Sequence, residues 1–394
     1  MQLPKRITFK SDTKARLFRF LLAASLLNLS QIASAEDGVP LHGFADAGWA
    51  SGSPSQVARE KTDGFVLGTV DLYLNPQFQD NVKSLIEIAL EPDLDSQEYD
   101  LDVERIQVGY VYGEWGTLWA GRFHTPYGYW NTAFHHGAQL QPSIYKPRFI
   151  DWEDHAGFMP SHSTGIWFQG KLGVGSGKFA YDLWMSNGNR NIAGESDMNI
   201  LRDDNHTPGY GGRAAYNFGG ALDGLSIGVH ALTDEIDLYA ADLTTQLSRG
   251  KMNMYGGFAV YESDLIEFSA EYYWFANPNQ NNGGSPIYHS SAGFVHLGYN
   301  ATANNQVYVR FEDANIDNED PYFNNLENGF SYIRSVVGMR HNINARACVK
   351  VEANRTSIED SITNPSNLGT QGIGLAPVNP GTFDELRVQY AISF

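Results

Sequence analysis

Residues 123–161 carry the side chains that are best suited to chemistry. Four of the eleven histidines lie in this segment, and Asp151, Glu153 and Asp154 stand close to His155. Imidazole and carboxylate groups are ligands that divalent transition metals accept. The spacing, however, follows no established pattern such as His-Glu-x-x-His, and histidines in loops more often satisfy hydrogen bonds. The sequence therefore predicts no metal site and no cofactor.

One further stretch invites a catalytic interpretation. Gly173–Lys178 has the glycines and the lysine of a phosphate-binding loop, but Leu172 stands where its first glycine is required. Phe179 stands where Ser or Thr would bind magnesium, so the stretch is predicted to be a tight turn. A convincing Gly-x-Ser-x-Gly nucleophile elbow is also missing. The sequence thus predicts no catalytic residues and a protein that is not an enzyme.

The remaining chain has the alternation of β-strands. Between residues 386 and 394 every second residue is apolar or aromatic, and the series ends at Phe394. Such a strand has one face toward lipid and the other toward a polar interior. The same alternation recurs in segments of about ten residues, the length of a membrane-spanning strand. No helical period persists after residue 36, so the sequence predicts an all-β fold, a transmembrane antiparallel β-barrel.

The first thirty-five residues have the three parts of a secretory signal peptide. Six basic residues precede an apolar run from Phe20 to Leu29, and Ala33-Ser34-Ala35 supplies a small-residue cleavage site. Residues 1–35 are therefore predicted to be a signal peptide and residues 36–394 the barrel. Without the signal, 21 of the 27 Lys and Arg and 44 of the 45 Asp and Glu remain, a formal charge of −23. So acidic a chain excludes nucleic acid as a partner.

The connections between the strands alternate between short and long, which is typical of bacterial barrels with short periplasmic turns and long external loops. Asp237–Leu243 resembles a seventeenth strand, but barrels of this class have an even strand number, so it is assigned to an external loop. Sixteen strands are predicted, or fourteen or eighteen if one hairpin is misassigned. The candidate strands are 40–50, 64–74, 82–90, 100–113, 116–122, 162–171, 177–186, 209–218, 224–232, 250–261, 264–275, 290–300, 304–314, 328–341, 345–356 and 382–394.

Together, the signal peptide, the sixteen strands, the final aromatic residue and the long third external loop resemble the general porin superfamily. Within that superfamily, the chain most resembles the phosphate-selective porins O and P. The resemblance covers residues 36–394. It implies a homotrimer in the outer membrane of a Gram-negative bacterium, in contact with lipid and lipopolysaccharide and recognised by the barrel assembly machinery. Phosphate specificity does not carry over, because that group relies on a basic pore.

The resemblance also implies that the third loop, 123–161, folds into the barrel and narrows it. A long loop without regular structure is usually functional or disordered, and the aromatic content of this one argues against disorder. A surface loop packed on the barrel rim remains the alternative. The constriction is predicted to include His124, Tyr127, Trp130, His135, His136, Lys146, Arg148, Asp151, Glu153 and Asp154.

The strand phase opposite to the apolar positions predicts which charges face the pore. The predicted pore-lining residues are Arg105, Arg122, Arg310, Arg334, Arg340, Arg346, Lys350, Arg387, Asp71, Glu87, Glu267 and Glu271. The full inward set has ten cations and nine acids, the further acids including Asp46, Glu91 and Asp182. Six of the ten cations fall in the last four strands, whereas five of the nine acids fall in the first seven. This asymmetry predicts an electric field across the lumen, although charged residues are also ordinary in a wet porin interior.

These patterns favour a passive channel for small hydrophilic solutes or ions, whose selectivity comes from pore diameter and charge. The first alternative is a non-transporting barrel that acts as a scaffold or binding protein, such as an adhesin or the sheath around a partner. An outer-membrane enzyme is the third interpretation, and conductance discriminates the first from the other two.

Overall fold

Sixteen strands form one closed antiparallel sheet in the computed structural model of the chain. It describes residues 40–53, 63–79, 81–93, 98–151, 157–198, 200–240, 242–280, 283–326, 328–359 and 380–394. Strands β1 to β16 are Leu41–Gly52, Gly64–Leu74, Val82–Asp93, Glu98–Tyr112, Gly116–His124, His162–Val174, Gly177–Ser186, Gly209–Asn217, Leu225–Tyr239, Gln246–Glu262, Ile266–Pro278, Ile287–Thr302, Asn305–Asn315, Tyr332–Asn344, Ala347–Ile358 and Gly381–Ser393. The predicted signal peptide, residues 1–35, lies outside the described ranges.

The alternation in the sequence becomes an outer apolar face and an inner polar face. On β13, Val307, Val309 and Phe311 are about half exposed, whereas Arg310 and Glu312 between and beside them are buried. Successive side chains of a strand point to opposite faces, so the buried series faces the barrel interior. Each strand pairs with its neighbours in the chain, and a closed sheet leaves no unpaired edge.

The barrel closes through its first and last strands, which pair from Phe44 to Gly52 on β1. Gly43 and Phe394 extend this pairing by exchanging two backbone hydrogen bonds of 3.0 Å each. A Cβ atom on Gly43 would lie 2.4 Å from the Phe394 ring and 2.7 Å from the carbonyl oxygen of Asp71. The closure therefore requires glycine at this position.

The predicted count of sixteen is confirmed, but several strands are longer than the sequence indicates. Asp237–Tyr239, placed in an external loop by parity, continues β9 and pairs with β10 as far as Gln246. The connection therefore shrinks to residues 240–245, and no seventeenth strand is needed. The three-residue strands Arg190–Ile192 and Glu195–Asp197 form a hairpin, and its first strand lies parallel to the end of β9. Among the described residues, no helix is long and apolar enough to cross a bilayer.

A β-bulge in β4 changes which side chains face the interior. Glu87 of β3 pairs with Arg105, and the next residue, Ile88, pairs with Val103, so Glu104 is the extra residue. Val103 and Ile106 are exposed on the outer face, while Glu104 is buried and Arg105 forms an ion pair with the buried Glu87. Two consecutive residues therefore turn inward. Bulges often redirect a side chain in this way next to functional sites.

Candidate functional site

The connection between β5 and β6, residues 125–161, is called the internal segment below. Its ends meet on neighbouring strands, because His124 and His162 are direct partners in the pairing of β5 with β6. A short helix spans Trp130–Ala133 and a 3-10 turn spans Arg148–Ile150. Most of the described residues of the segment are buried, so it packs against protein on several sides.

Carboxylates of the barrel wall accept hydrogen bonds from backbone amides of the internal segment. They belong to the inward series of β11, β13 and β15, and all of them are buried. Glu271 accepts from Tyr129 and Trp130 at 3.0 and 2.6 Å, Glu312 from Arg148 at 2.7 Å, and Glu352 from Ile144 at 2.7 Å. A hydrogen bond to an ionised acceptor is about twice as strong as a neutral one. The segment therefore runs through the interior of the barrel.

Cations of the wall bind the backbone carbonyl groups of the same segment. Arg310 donates to Lys146 at 3.2 Å, Arg340 to Gln139 and Gln141 at 2.8 and 3.0 Å, and Lys350 to Ala138 and Ser143 at 2.6 and 3.0 Å. On the opposite side of the segment, Arg213 of β8 donates to the carbonyl group of Gly128 at 2.8 Å. Many of the inward-facing cations thus bind backbone carbonyl groups of the internal segment.

Aromatic rings surround the arginines at the centre of this arrangement. The guanidinium group of Arg148, which is 1% exposed, lies 5.4, 6.0 and 5.7 Å from the ring centres of Phe330, Tyr332 and Phe383. Tyr145 lies in the same way between Arg334 and Arg387, at 5.2 and 5.9 Å. A desolvated cation over a ring is stabilised by about 2 kcal/mol, so these contacts fix the segment further.

The loop between β13 and β14 covers the internal segment from the end that carries the long connections. The Tyr322 hydroxyl donates to the carbonyl group of Phe158, and the rings of Phe158 and Phe323 meet edge to face with centres 5.1 Å apart. In the same loop, Asp320 accepts hydrogen bonds from Asn277 and from the Tyr322 amide. Burial raises the pKa of the Asp320 carboxyl to about 7.

The other predicted residues lie in several places. Glu267 accepts from Gln306 at 2.9 Å, Arg122 donates to the carbonyl group of Val103 at 2.7 Å, and Arg387 lies 3.5 Å from Asp46. Arg346 is exposed in the tight turn between β14 and β15. Within the segment, Lys146 lies 3.9 Å from Asp151, and the buried Tyr127 contacts the rings of His230 and Tyr273. Glu153 and Asp154 lie outside the described residues.

Four histidines and one glutamate converge where the internal segment meets β4, β5 and β6. They are Glu104 of β4, His124 of β5, His135 and His136 of the segment, and His162 of β6. Each contributes one nitrogen or oxygen atom to a group whose members all lie within 4.8 Å of one another. The side chains are at most 10% exposed. We call these five residues the histidine cluster.

Short contacts connect the members of the histidine cluster. The Oε2 atom of Glu104 lies 2.8 Å from Nε2 of His162 and 3.1 Å from Nε2 of His136. The Nε2 atoms of His162 and His135 are 3.0 Å apart. Nε2 of His124 has no hydrogen-bond partner among the described residues and lies 3.6 Å from Oε2 of Glu87. These separations fit either shared protons or a shared cation.

Sequence reasoning identified the histidines but missed their carboxylate. It placed Asp151, Glu153 and Asp154 beside them, whereas Asp151 lies next to Lys146. Glu104 stands one position from Arg105, which parity had already placed inward, so strict alternation sends Glu104 outward. The β4 bulge reverses this, and no sequence signal marks it. His162 follows the predicted constriction directly and becomes a member because β6 pairs with β5.

Comparisons with known proteins point to one fold. No protein-family model matches the sequence, and no curated protein matches it. Among solved structures, an anion-selective porin from Comamonas acidovorans superposes with a TM-score of 0.57 at 13% identity, over 90% of this chain and 99% of that one.

Two further solved structures extend the likeness. The outer membrane channel DcaP of Acinetobacter baumannii gives a TM-score of 0.57 at 12% identity, over 90% of this chain and 97% of its own. Salmonella typhi OmpF, in a complex with daunomycin, gives 0.52 at 13% identity, over 91% and 99%. Identities this low show a shared fold, the sixteen-strand porin barrel.

Proposed function

We propose that the protein is an outer-membrane channel for small hydrophilic solutes or ions, narrowed by the internal segment. The main observation in support of this proposal is that inward-facing charges of a porin-type barrel bind the internal segment on several sides. Polar groups of the backbone and of side chains then line the part of the lumen that the internal segment leaves open, as a channel for hydrophilic solutes requires. The apolar outer face suits lipid, and the signal peptide over residues 1–35 would export the chain.

The proposal includes a homotrimer in the outer membrane of a Gram-negative bacterium, assembled by the barrel assembly machinery. Ala45, Ala47 and Trp49 of β1 pair with apolar or aromatic residues of β16 on the outer face. A surface of small and aromatic residues favours contact between subunits. Native mass spectrometry in detergent measures whether the protein is a trimer, and a purely monomeric protein would contradict the proposal. The relation to the phosphate-selective porins O and P is part of the hypothesis, whereas phosphate transport is not.

Conductance in planar bilayers tests the channel. Thr125 and Ser161 are joined by a 2.8 Å backbone hydrogen bond, so a short Gly-Ser linker can replace residues 126–160 without moving β5 or β6. Removing the obstruction is expected to raise the single-channel conductance severalfold. Deletion of the exposed Leu243 and Thr244, at the tip of the loop between β9 and β10, serves as the matched control and leaves conductance unchanged.

Heat-dependent migration in SDS gels verifies that each variant is a folded barrel. If the folded wild-type protein and the folded deletion variant both conduct no more than a protein-free bilayer, the channel proposal is wrong. If the wild-type protein conducts and the deletion does not change its conductance, the internal segment does not narrow the path.

Ion selectivity tests the role of the charged wall. Arg340 is only partly buried, and its side chain faces the interior beside the internal segment. Replacement by Gln removes one positive charge and is expected to shift the reversal potential toward cation selectivity, most clearly in dilute salt, where screening is least. Arg355→Gln removes a charge from an exposed ion pair and is the control. Equal reversal potentials for wild type and Arg340→Gln would place Arg340 away from the path.

One observation favours a non-conducting scaffold or binding barrel as the second candidate. A continuous apolar cluster occupies the interior toward the long loops, and it joins the internal segment to several strands. Its largest members include Trp130, Phe149, Phe158, Tyr273 and Phe323, all completely buried. An interior filled in this way leaves less room for water. A folded wild-type protein without conductance, made conductive by the segment deletion, would support this candidate.

A further inference from the structure

We propose that the histidine cluster binds one divalent transition-metal ion, with Glu104, His135, His136 and His162 as ligands and His124 beside them. The ion would join the internal segment to β4 and β6. This departs from the sequence-based expectation of no metal site, because neither Glu104 nor the proximity of His162 follows from the sequence pattern. The proposal is independent of whether the barrel conducts.

The separations within the cluster match those between ligands of a single ion. Zinc binds imidazole nitrogen and carboxylate oxygen at about 2.1 Å, which puts neighbouring ligand atoms about 3.0–3.4 Å apart. The contacts of Glu104 with His162 and His136 measure 2.8 and 3.1 Å, and that between His162 and His135 measures 3.0 Å. Only small movements would bring all of these atoms to coordination distance.

A hydrogen bond to Nδ1, the ring nitrogen that points away from the centre of the cluster, orients the imidazole ring of His135. The amide nitrogen of Asn131 donates to the carbonyl groups of Thr125 and Ser161, so its oxygen faces Nδ1 of His135, 2.8 Å away. Nδ1 of His135 therefore donates, and the Nε2 lone pair points inward. Outer-nitrogen partners of this kind are typical of metal-binding histidines, where they fix the tautomer.

His136 lies between two carboxylates, those of Asp71 and Glu104. Its Nδ1 atom lies 3.3 Å from Asp71, and its Nε2 atom lies 3.1 Å from the Glu104 carboxylate. When Nδ1 carries the proton, the Nε2 lone pair of neutral His136 faces a negatively charged oxygen. This arrangement is repulsive unless the two atoms share a proton or a metal ion. A metal ion shared with His135 and His162 removes the repulsion for all three rings.

The charges around the cluster also favour a divalent cation. Arg105 pairs with Glu87, and Arg122 lies 3.8 Å from Asp102. With Asp71 and Glu104, the four carboxylates and two guanidinium groups of this region give a formal charge of −2 when the histidines are neutral. Buried charge is costly unless it is balanced. One divalent ion balances it.

The ligand set identifies the class of ion. Imidazole nitrogen suits zinc, copper, nickel and iron, whereas magnesium and calcium prefer all-oxygen sites. Four protein ligands that are nearly inaccessible to solvent resemble a closed structural site rather than a catalytic one. The bulge in β4 supports this assignment, since it presents Glu104 to the interior at the cost of regular strand pairing.

Metal titration of the folded protein tests the proposal. The barrel is purified without a histidine tag, stripped with chelator, verified as folded by heat-dependent gel migration, and titrated with Zn²⁺ by calorimetry and with Co²⁺ by visible absorption. One equivalent is expected to bind, with Co²⁺ giving the intense d–d bands of a low-coordinate site. The double variant His135→Gln/His162→Gln is expected to bind at least 100-fold more weakly.

Two further variants separate binding from folding. His296→Gln alters another buried histidine, on β12 and outside the cluster, and should bind Zn²⁺ like the wild type. Asp71→Asn keeps the shape of the side chain beside His136 and should weaken binding about tenfold, as expected for a partner of a ligand. Chelator should lower the unfolding temperature of the wild type and of His296→Gln but not of the double variant.

Absence of saturable Zn²⁺ binding to the folded wild-type protein overturns the proposal. Equal affinity of the wild type and the double variant overturns it as well. Because binding is measured on the folded barrel in detergent, neither result depends on conductance. Failure of the channel proposal and failure of the metal site are therefore distinguishable.

Discussion

Arg310 offers a test of how firmly the wall holds the internal segment. Its guanidinium group lies 2.8 Å from Glu312, and neither side chain is exposed. It also donates to the Ser143 hydroxyl and the Lys146 carbonyl group. Replacement by Met would leave the Glu312 carboxylate buried without this partner. Breaking a buried ion pair in this way typically costs about 3–5 kcal/mol of unfolding free energy.

The double variant Arg310→Met/Glu312→Gln isolates the charge. Gln keeps an acceptor for the Arg148 amide, which lies 2.7 Å from the Glu312 carboxylate, but carries no charge. The two hydrogen bonds to the internal segment are then lost, at about 1 kcal/mol each. The Met thioether replaces the guanidinium group against the Trp130 ring, whose centre lies 5.6 Å from Arg310. The double variant should therefore be more stable than the single variant, with a net loss of about 2 kcal/mol.

Guanidinium-induced unfolding in lipid vesicles, followed by tryptophan fluorescence and gel migration, measures these differences. Arg355→Met is the matched control, because the Arg355 pair with Asp384 has a similar separation, 2.7 Å, but its side chains are 68% and 52% exposed. Its unfolding midpoint should stay near that of the wild type, since exposed ion pairs contribute little. If Arg310→Met and Arg355→Met shift the midpoint equally, or if the double variant is less stable than the single one, Arg310 does not act through a buried charge.

Two other predictions concern the long-loop end and the closure of the barrel. The pKa of Asp320 is raised to about 7 in the folded state, above the ordinary 3.8, so the folded protein binds this proton more tightly and stability rises as the pH falls from 7 toward 4. Asp320→Asn should stabilise the protein at pH 8 and lose this advantage progressively as the pH falls to about 4 in unfolding experiments. An advantage that does not change with pH would contradict this prediction. Deletion of Phe394 removes the residue that we propose the assembly machinery recognises, together with two hydrogen bonds to Gly43. Less protein should therefore be inserted in cells, while barrels already folded keep their heat resistance. Unchanged insertion in a cell-fractionation assay would refute that role.

The strand pattern was predictable because the two faces of the barrel wall meet different surroundings, lipid outside and a polar interior inside. Lipid selects apolar residues such as Val307 and Val309 on one face, and the interior selects charges such as Arg310 on the other, so parity alone recovered all sixteen strands. The strand ends were less predictable. Beyond the apolar belt the outer face no longer requires apolar residues, and Asp237–Tyr239 continues β9 without a recognisable signal.

The candidate site was only partly predictable for a different reason. Parity placed Arg340 and Lys350 toward the interior, but their partners are carbonyl groups of the internal segment, far away in the sequence. Backbone acceptors have no sequence signature. The same holds for Glu104, whose inward orientation results from a bulge. Local patterns define the wall, whereas the three-dimensional course of the internal segment determines what the wall binds.

Closure through Gly43 and Phe394 has a consequence for the time course of folding. β1 is made first and β16 last, so the pairing that seals the sheet joins the two most distant parts of the barrel. Contacts of such high sequence separation form slowly, because a very long loop must close before they stabilise anything. Until then β1 presents an unpaired edge, which invites aggregation. The chain therefore needs protection until β16 is available to pair with β1.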